Sequence, residues 1–211
     1  MDRLDEIADH IHQSFEARNN ARDKALAQTR SLTRFCAHAI RAIHRDERQL
    51  SQKNLASAQQ LVNALRHGLA DYPELYYAGY TQDALKEYAE AKIVYALLTD
   101  ADLPSPDELG LEHATFLQGL AEAAGELRRR CLDILRNGHS QEAERLLGYM
   151  DDIYAILVTM DYPDAITRGL RRLTDIVRGV TERTRGDMTI SLRQEQLEKS
   201  LQRMQEQLQQ Q

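Results

Sequence analysis

Leu85-Lys86-Glu87-Tyr88-Ala89-Glu90-Ala91-Lys92-Ile93-Val94-Tyr95-Ala96 carries both the periodicity that sets the fold and the side chains that suggest a site. At about 100° per residue, Leu85, Ala89, Ile93 and Ala96 fall on one apolar stripe, which predicts a helix. Glu87 lies on a different side, in line with Ala91, Val94 and Leu98. A solvated face would stay polar there. This one continues apolar, so Glu87 and Glu90 are expected to be partly buried, where a cation or a donor must offset their desolvation. Asp83, one turn earlier, can add a further oxygen.

A second acidic pair stands one helix further on, in Glu122-Ala123-Ala124-Gly125-Glu126. Residues three or four apart share a helix side, so each pair presents two carboxylates together. Glu122 and Glu126 point away from the stripe Phe116, Leu117, Leu120, Ala124, Leu127, Cys131, Ile134. Arg129 and Arg130 follow Glu126 at i+3 and i+4, so local ion pairs on a surface helix explain this second pair equally well. Gly119 and Gly125 each cost about 1 kcal/mol inside a helix and are usually kept where something approaches closely. Four carboxylates converging without His or Cys would suit a hard cation such as Mg²⁺, and phosphoester chemistry rather than zinc or iron chemistry.

Around these two segments the 211-residue chain has four prolines, no Trp and 6% aromatic residues. Ala, Leu, Arg, Gln and Glu dominate, the residues that lose least on entering a helix. An all-α fold follows, read as one domain over 1–211. Helices are expected from near Asp5 to near Arg48, from about Gln52 (capped by Ser51) to Leu69, and from about Glu74 to Thr99. Pro106-Asp107-Glu108 suits the first turn of a short helix. Another helix runs from His113 to Asn137-Gly138-His139, and the next opens at Ser140. Leu170, Leu173, Ile176, Val177 and Val180 mark a long amphipathic helix bearing Arg168, Arg171, Arg172 and Arg178 among acids, a solvated face. A break is expected at Thr184-Arg185-Gly186-Asp187, then a last helix with Ile190, Leu197, Leu201, Met204 and Leu208, frayed from about residue 205.

The first helix has the apolar side Ile7, Ile11, Phe15, Leu32, Phe35, Cys36, Ala39 and Ile43. Opposite it, Arg30, Arg34, His38, Arg41, Arg45 and Arg48 fall in one sector, with no Asp or Glu between Lys24 and Arg45. Solvated faces mix signs, because opposite i,i+4 pairs are favourable. In a chain of net charge -6, a one-sign row faces either phosphate or the carboxylates of another subunit, and Arg30, Arg34, Arg41 and Arg45 are the candidate nucleic-acid contacts.

Cys36 and Cys131 sit in apolar helical patterns without CxxC spacing and read as buried free thiols. The start Met1-Asp2-Arg3-Leu4 has no apolar leader, and no window reaches the length of a membrane helix, so a soluble cytoplasmic protein is expected. The Glu-x-x-His repeats of di-iron bundles are absent, as are GxxxxGK[ST], GxGxxG and a GxSxG elbow. Tyr149-Met150-Asp151-Asp152 matches a polymerase motif by letters, but it lies in a helical pattern where that motif needs a strand hairpin.

With these residues laid out, the chain resembles the translin and TRAX family in its short archaeal and bacterial form. Arg22-Asp23-Lys24 through Ile43-His44-Arg45 resembles the family's first helix, and Lys86-Glu87-Tyr88-Ala89-Glu90-Ala91 its TRAX-type acidic motif. Gly119 through Leu127 resembles the segment supplying the other two acids, with Glu122 where TRAX has an aspartate. Leu170-Arg171-Arg172-Leu173 through Asp187 resembles the closing helix. The His- and Arg-rich RNA-binding stretch of translin is not matched by Tyr76-Tyr77-Ala78-Gly79-Tyr80. The resemblance implies a subunit of about seven helices in a closed homo-oligomeric shell, octameric in the family, that binds single-stranded RNA or DNA. It further implies Mg²⁺-dependent endoribonuclease activity, with Mn²⁺ as a substitute ion, and Glu87, Glu90, Glu122 and Glu126 as the metal-binding catalytic set. A non-catalytic single-strand binder and an oligomeric helical scaffold are the alternatives.

Overall fold

The computed structural model describes residues 2–136, 138 and 141–209. Every secondary-structure element among them is helical: α1 Asp2–His44, α2 Arg48–Gly68, α3 Pro73–Tyr76, α4 Gly79–Thr99, α5 Pro106–Leu109, α6 His113–Leu135, α7 Gln141–Val158, α8 Asp164–Thr167 and α9 Leu170–Gln209. Three of these are single turns, leaving six long helices. The all-α expectation holds. No helix of the described residues is long and apolar enough to cross a membrane.

The prolines act as starters: Pro73 and Pro106 occupy first-turn positions, where a missing N–H costs nothing. Ser105 caps α5 in a reciprocal box with Glu108. Helix boundaries differ from expectation where side chains, rather than Gly or Pro, end the helix. The first helix stops at His44, because Asp46 takes a left-handed conformation (φ 59°) and Arg130 of α6 holds both its carboxylate (2.9 Å) and the His44 carbonyl (3.1 Å). Helix α2 therefore begins at Arg48, and Ser51 is no cap; it is buried one turn in, donating to the Ala39 carbonyl of α1 at 2.9 Å. Between α3 and α4 the chain breaks at Tyr77-Ala78, where Thr81 and Gln82 of the new helix donate to the carbonyls of Leu75 and Tyr76.

The expected break at Thr184–Asp187 does not occur. Arg128 of α6 binds Thr184 Oγ1 (3.0 Å) and Asp187 (2.9 Å), and Thr184 and Met188 are buried on either side of Gly186, so packing offsets the glycine and α9 runs on to Gln209. The expected helix end at Asn137 and His139, the cap at Ser140 and the last two glutamines lie outside the described residues.

Helix α4 is the centre. It is flanked by α1 on one side and α6 on the other; α2 packs on α1, while α7 and α9 pack on α6. Tyr88, Ala89, Ile93, Val94, Leu127, Cys36 and Leu65 are all but sealed in one core. Cys36 and Cys131 are free and buried, and burial pushes both thiols up. The polymerase-like letters are structural: Met150 is buried and Asp151 pairs with Arg185 at 2.6 Å. The apolar pattern outruns this core at both ends. Leu4, Ile7, Ile11 and Phe15 of α1, and Ile190, Leu197, Leu201, Met204 and Leu208 of α9, are exposed.

Candidate metal centre

Helices α4 and α6 come into close contact at Gly119. A β-carbon there would lie 2.6 Å from Ala89 Cβ and 2.9 Å from both Glu90 N and Lys86 O, so only glycine allows this approach. One consequence follows directly: Glu87 and Glu90 of α4 meet Glu122 of α6. One carboxylate oxygen from each lies within 4.8 Å of the other two, and all three side chains are half-buried. Around an octahedral Mg²⁺, with bonds of about 2.1 Å, opposite ligand oxygens stand about 4.2 Å apart, so a small closure of this triad suffices.

The electrostatics of the triad are those of a crowded anionic site. Burial, then the charges of Glu87, Glu122 and Glu126, push the Glu90 carboxyl up to about 8. Burial also raises Glu87; Lys86 opposes that rise, and Glu122 and Asp83 reinforce it. The Lys86 ammonium sits 2.7 Å from Glu122 and 3.8 Å from Glu87, a cation already placed among the acids. Burial alone would lower Lys86, but the bond and charge of Glu122, with Glu87 and Asp83, outweigh it and hold its pKa above the ordinary value. Glu122 reaches both the other two acids and this lysine.

Glu126 is one turn further along α6 and is otherwise engaged. The His44 imidazole donates to its Oε2 at 2.5 Å, and Arg129 approaches at 3.5 Å. That hydrogen bond is the largest cause holding Glu126 below the usual carboxylate range; burial works against it, and the charges of His44 and Arg129 add to it. The structure thus brings together three of the four acids and ties the fourth to α1. Arg130 is not a partner of Glu126 but of Asp46. The sequence did not single out His44 or Lys86. The one available signal for His44 was its place directly after the buried Ala42-Ile43 on the inward side of α1.

Gly125 differs from Gly119 in that, its own helix backbone apart, nothing lies within 4 Å of where its β-carbon would stand. It lines a cavity of about 380 Å³ between α6 and α9, shared with Glu90, Glu122 and Arg172. The basic row is exposed, as expected, and no ion pair within the described residues engages Arg30, Arg34, Arg41 or Arg45. Arg34 lies over the Phe35 ring. The break at His44 puts Arg45 in the turn and Arg48 on α2, so the helical part of the row is Arg30, Arg34, His38 and Arg41.

No protein-family model matches the chain. An uncharacterized protein of Methanocaldococcus jannaschii is 32% identical over 207 residues, covering 97% of this chain and 90% of that protein. Among solved structures, the chain is similar to the AfC3PO–duplex RNA complex: TM-score 0.78, 30% identity, 90% of this chain and 96% of that one covered. The chain belongs to the translin/TRAX family. The crystal structure of AfC3PO is likewise similar to this translin/TRAX-type subunit, at a TM-score of 0.78 and 29% identity over 87% of this chain and 96% of that one. Apo-NeC3PO, at 20% identity and a TM-score of 0.80 over 87% and 96%, shares the translin/TRAX fold.

Proposed function

We propose that this translin/TRAX-type protein is a divalent-metal-dependent endoribonuclease acting on single-stranded RNA. The observation that carries the proposal is the convergence of Glu87, Glu90 and Glu122 on one point between two helices, in a chain whose relative AfC3PO was solved with duplex RNA. The donor set fits Mg²⁺ or Mn²⁺: hard oxygens, half-buried, with a lysine ammonium standing beside them. Glu87, Glu90 and Glu122 would hold the ion, with Glu126 one turn beyond. When bound, it lowers the pKa of a coordinated water and offsets charge on the scissile phosphate. The unpaired row Arg30, Arg34, Arg41 and Arg45 supplies phosphate contacts, and its last member is next in sequence to His44. A recess between two helices suits a flexible strand better than a rigid duplex. The exposed apolar ends of α1 and α9 supply surfaces for neighbouring subunits of a closed homo-oligomer.

The test incubates labelled single-stranded and duplex RNA, and single-stranded DNA, with protein and Mg²⁺ or Mn²⁺, then repeats this with Glu90→Ala. Metal-dependent cleavage of single-stranded RNA that is lost in Glu90→Ala supports the proposal; equal cleavage by both proteins removes it. A non-catalytic binder is favoured by the unpaired basic row if RNA is bound, salt-sensitively, with no metal-dependent cleavage.

A further inference from the structure

Gly125 has a cost and no internal explanation. A glycine inside a helix loses about 1 kcal/mol relative to alanine, and Gly119 repays that with a close helix contact. Gly125 makes no such contact; its missing side chain faces the cavity between α6 and α9 instead. This cavity is contiguous with the site, because Glu90 and Glu122 both line it. Its other walls are apolar, chiefly Ala121, Leu173, Ile176 and Val180. Arg172 also lines it, exposed to solvent, and no ion pair or hydrogen bond within the described residues engages its guanidinium.

We infer that this cavity is a subsite for one nucleotide of the RNA strand, adjacent to the scissile phosphate, with its base against the apolar wall and its phosphate met by Arg172. The inference rests on the nuclease reading of the acid triad and adds to it where the substrate lies. The chemistry agrees at each end. Bases of single strands splay out and bury their faces on apolar surface. An unpaired arginine suits a phosphate, with which it can make two parallel hydrogen bonds. About 380 Å³ falls within the range of small-ligand cavities. Apart from the carboxylates and Arg172, the wall carries no side-chain donor or acceptor, so the subsite holds a base without reading its identity.

The test fills the cavity and leaves the acids alone. Gly125→Leu adds a side chain where the first carbon meets nothing, and leucine is a better helix former than glycine, so the fold is retained. Wild type, Gly125→Leu and Arg172→Ala are compared on single-stranded RNA with Mn²⁺, measuring KM and kcat, Mn²⁺ affinity by electron paramagnetic resonance, and assembly size. The expected results are a KM at least ten-fold higher for Gly125→Leu with unchanged Mn²⁺ affinity, and a several-fold higher KM for Arg172→Ala. RNA carrying an abasic nucleotide next to the cleaved bond should bind wild type more weakly than intact RNA, and the two RNAs should bind Gly125→Leu equally. A wild-type KM in Gly125→Leu, or the same abasic penalty in both proteins, overturns the subsite while leaving the nuclease reading standing. Changed assembly size in Gly125→Leu also overturns it, since the cavity would then be a subunit contact. Absence of cleavage by wild type removes both.

Discussion

Lys86 Nζ lies 2.7 Å from Glu122 Oε1, so an amino group from the acidic motif's own helix sits among the acids where a metal would go. The pair is largely shielded from solvent on the lysine side, and it offsets part of the repulsion among three carboxylates. A metal bound there would therefore compete with the ammonium. Lys86→Met should lower the stability of metal-free protein by about 1–3 kcal/mol, the cost of stranding a half-buried charge, and should tighten Mn²⁺ binding. Urea unfolding in EDTA and at saturating Mn²⁺ checks both parts, since the deficit should close when the ion is present.

The Glu90 carboxyl, pushed up to about 8, makes stability depend on pH. An unfolded glutamate releases its proton near 4.3, so between about 4.3 and 8 the folded state holds the extra proton. The stabilisation is complete below the lower value and is lost as pH rises through the upper one. Metal-free protein should thus lose on the order of a few kcal/mol between pH 5 and 8. Glu90→Gln should flatten that slope, and saturating Mg²⁺ should reverse it, because the ion favours the ionised acids. Denaturant midpoints measured across this range, with and without metal, decide the matter.

Fold class was legible because helix periodicity is local: the stripe Leu85, Ala89, Ile93, Ala96 is buried as its spacing required. Each acidic pair was legible for the same reason, being an i,i+3 or i,i+4 relation within one helix, whereas the meeting of Glu122 with Glu87 and Glu90, without Glu126, is a contact between helices. What stayed hidden was set by contacts between helices. Asp46 ends α1 in a left-handed turn closed by backbone bonds and held by Arg130, and Gly186 fails to end α9 where Arg128 braces the flanking residues and Thr184 and Met188 are buried. Nothing near His44 or Lys86 in sequence announces a partner 82 or 36 positions away. The apolar residues of the first turns of α1 matched the helical pattern but meet no core, because no element among the described residues covers them.

The two glycines of α6 should respond oppositely to the same change. Gly119→Ala puts a methyl 2.6 Å from Ala89 and against the backbone of Glu90, forcing α4 and α6 apart. A cost of about 1–3 kcal/mol is expected, with weakened metal binding because Glu90 and Glu122 separate. Gly125→Ala meets open space and should stabilise by about 0.4–1 kcal/mol. Paired thermal melts with Mn²⁺ titrations separate the two; equal shifts would mean that the helices do not approach at Gly119.

His44 ties the end of the basic helix to the acidic site, and its contribution can be isolated by choice of replacement. Its side chain is 4% exposed, its Nε2 donates to Glu126, and its Nδ1 has no partner within the described residues, so this is the one hydrogen bond the His44 side chain makes to α6, beside the hold of Arg130 on the His44 carbonyl. His44→Ala removes that donor, opens a void and leaves Glu126 with Arg129 alone at 3.5 Å; a loss of about 2–4 kcal/mol is expected. The Glu126 carboxyl should then titrate at higher pH, because the bond that held it low is gone. Glutamine can place an amide N–H near the position of Nε2, so His44→Gln should recover part of the stability and most of the depressed Glu126 titration. Carbon-13 NMR of the glutamate carboxyls reads the titration directly. If both variants shift Glu126 alike, volume at residue 44 matters and the hydrogen bond does not. Recovery in glutamine alone would assign the effect to the donated proton.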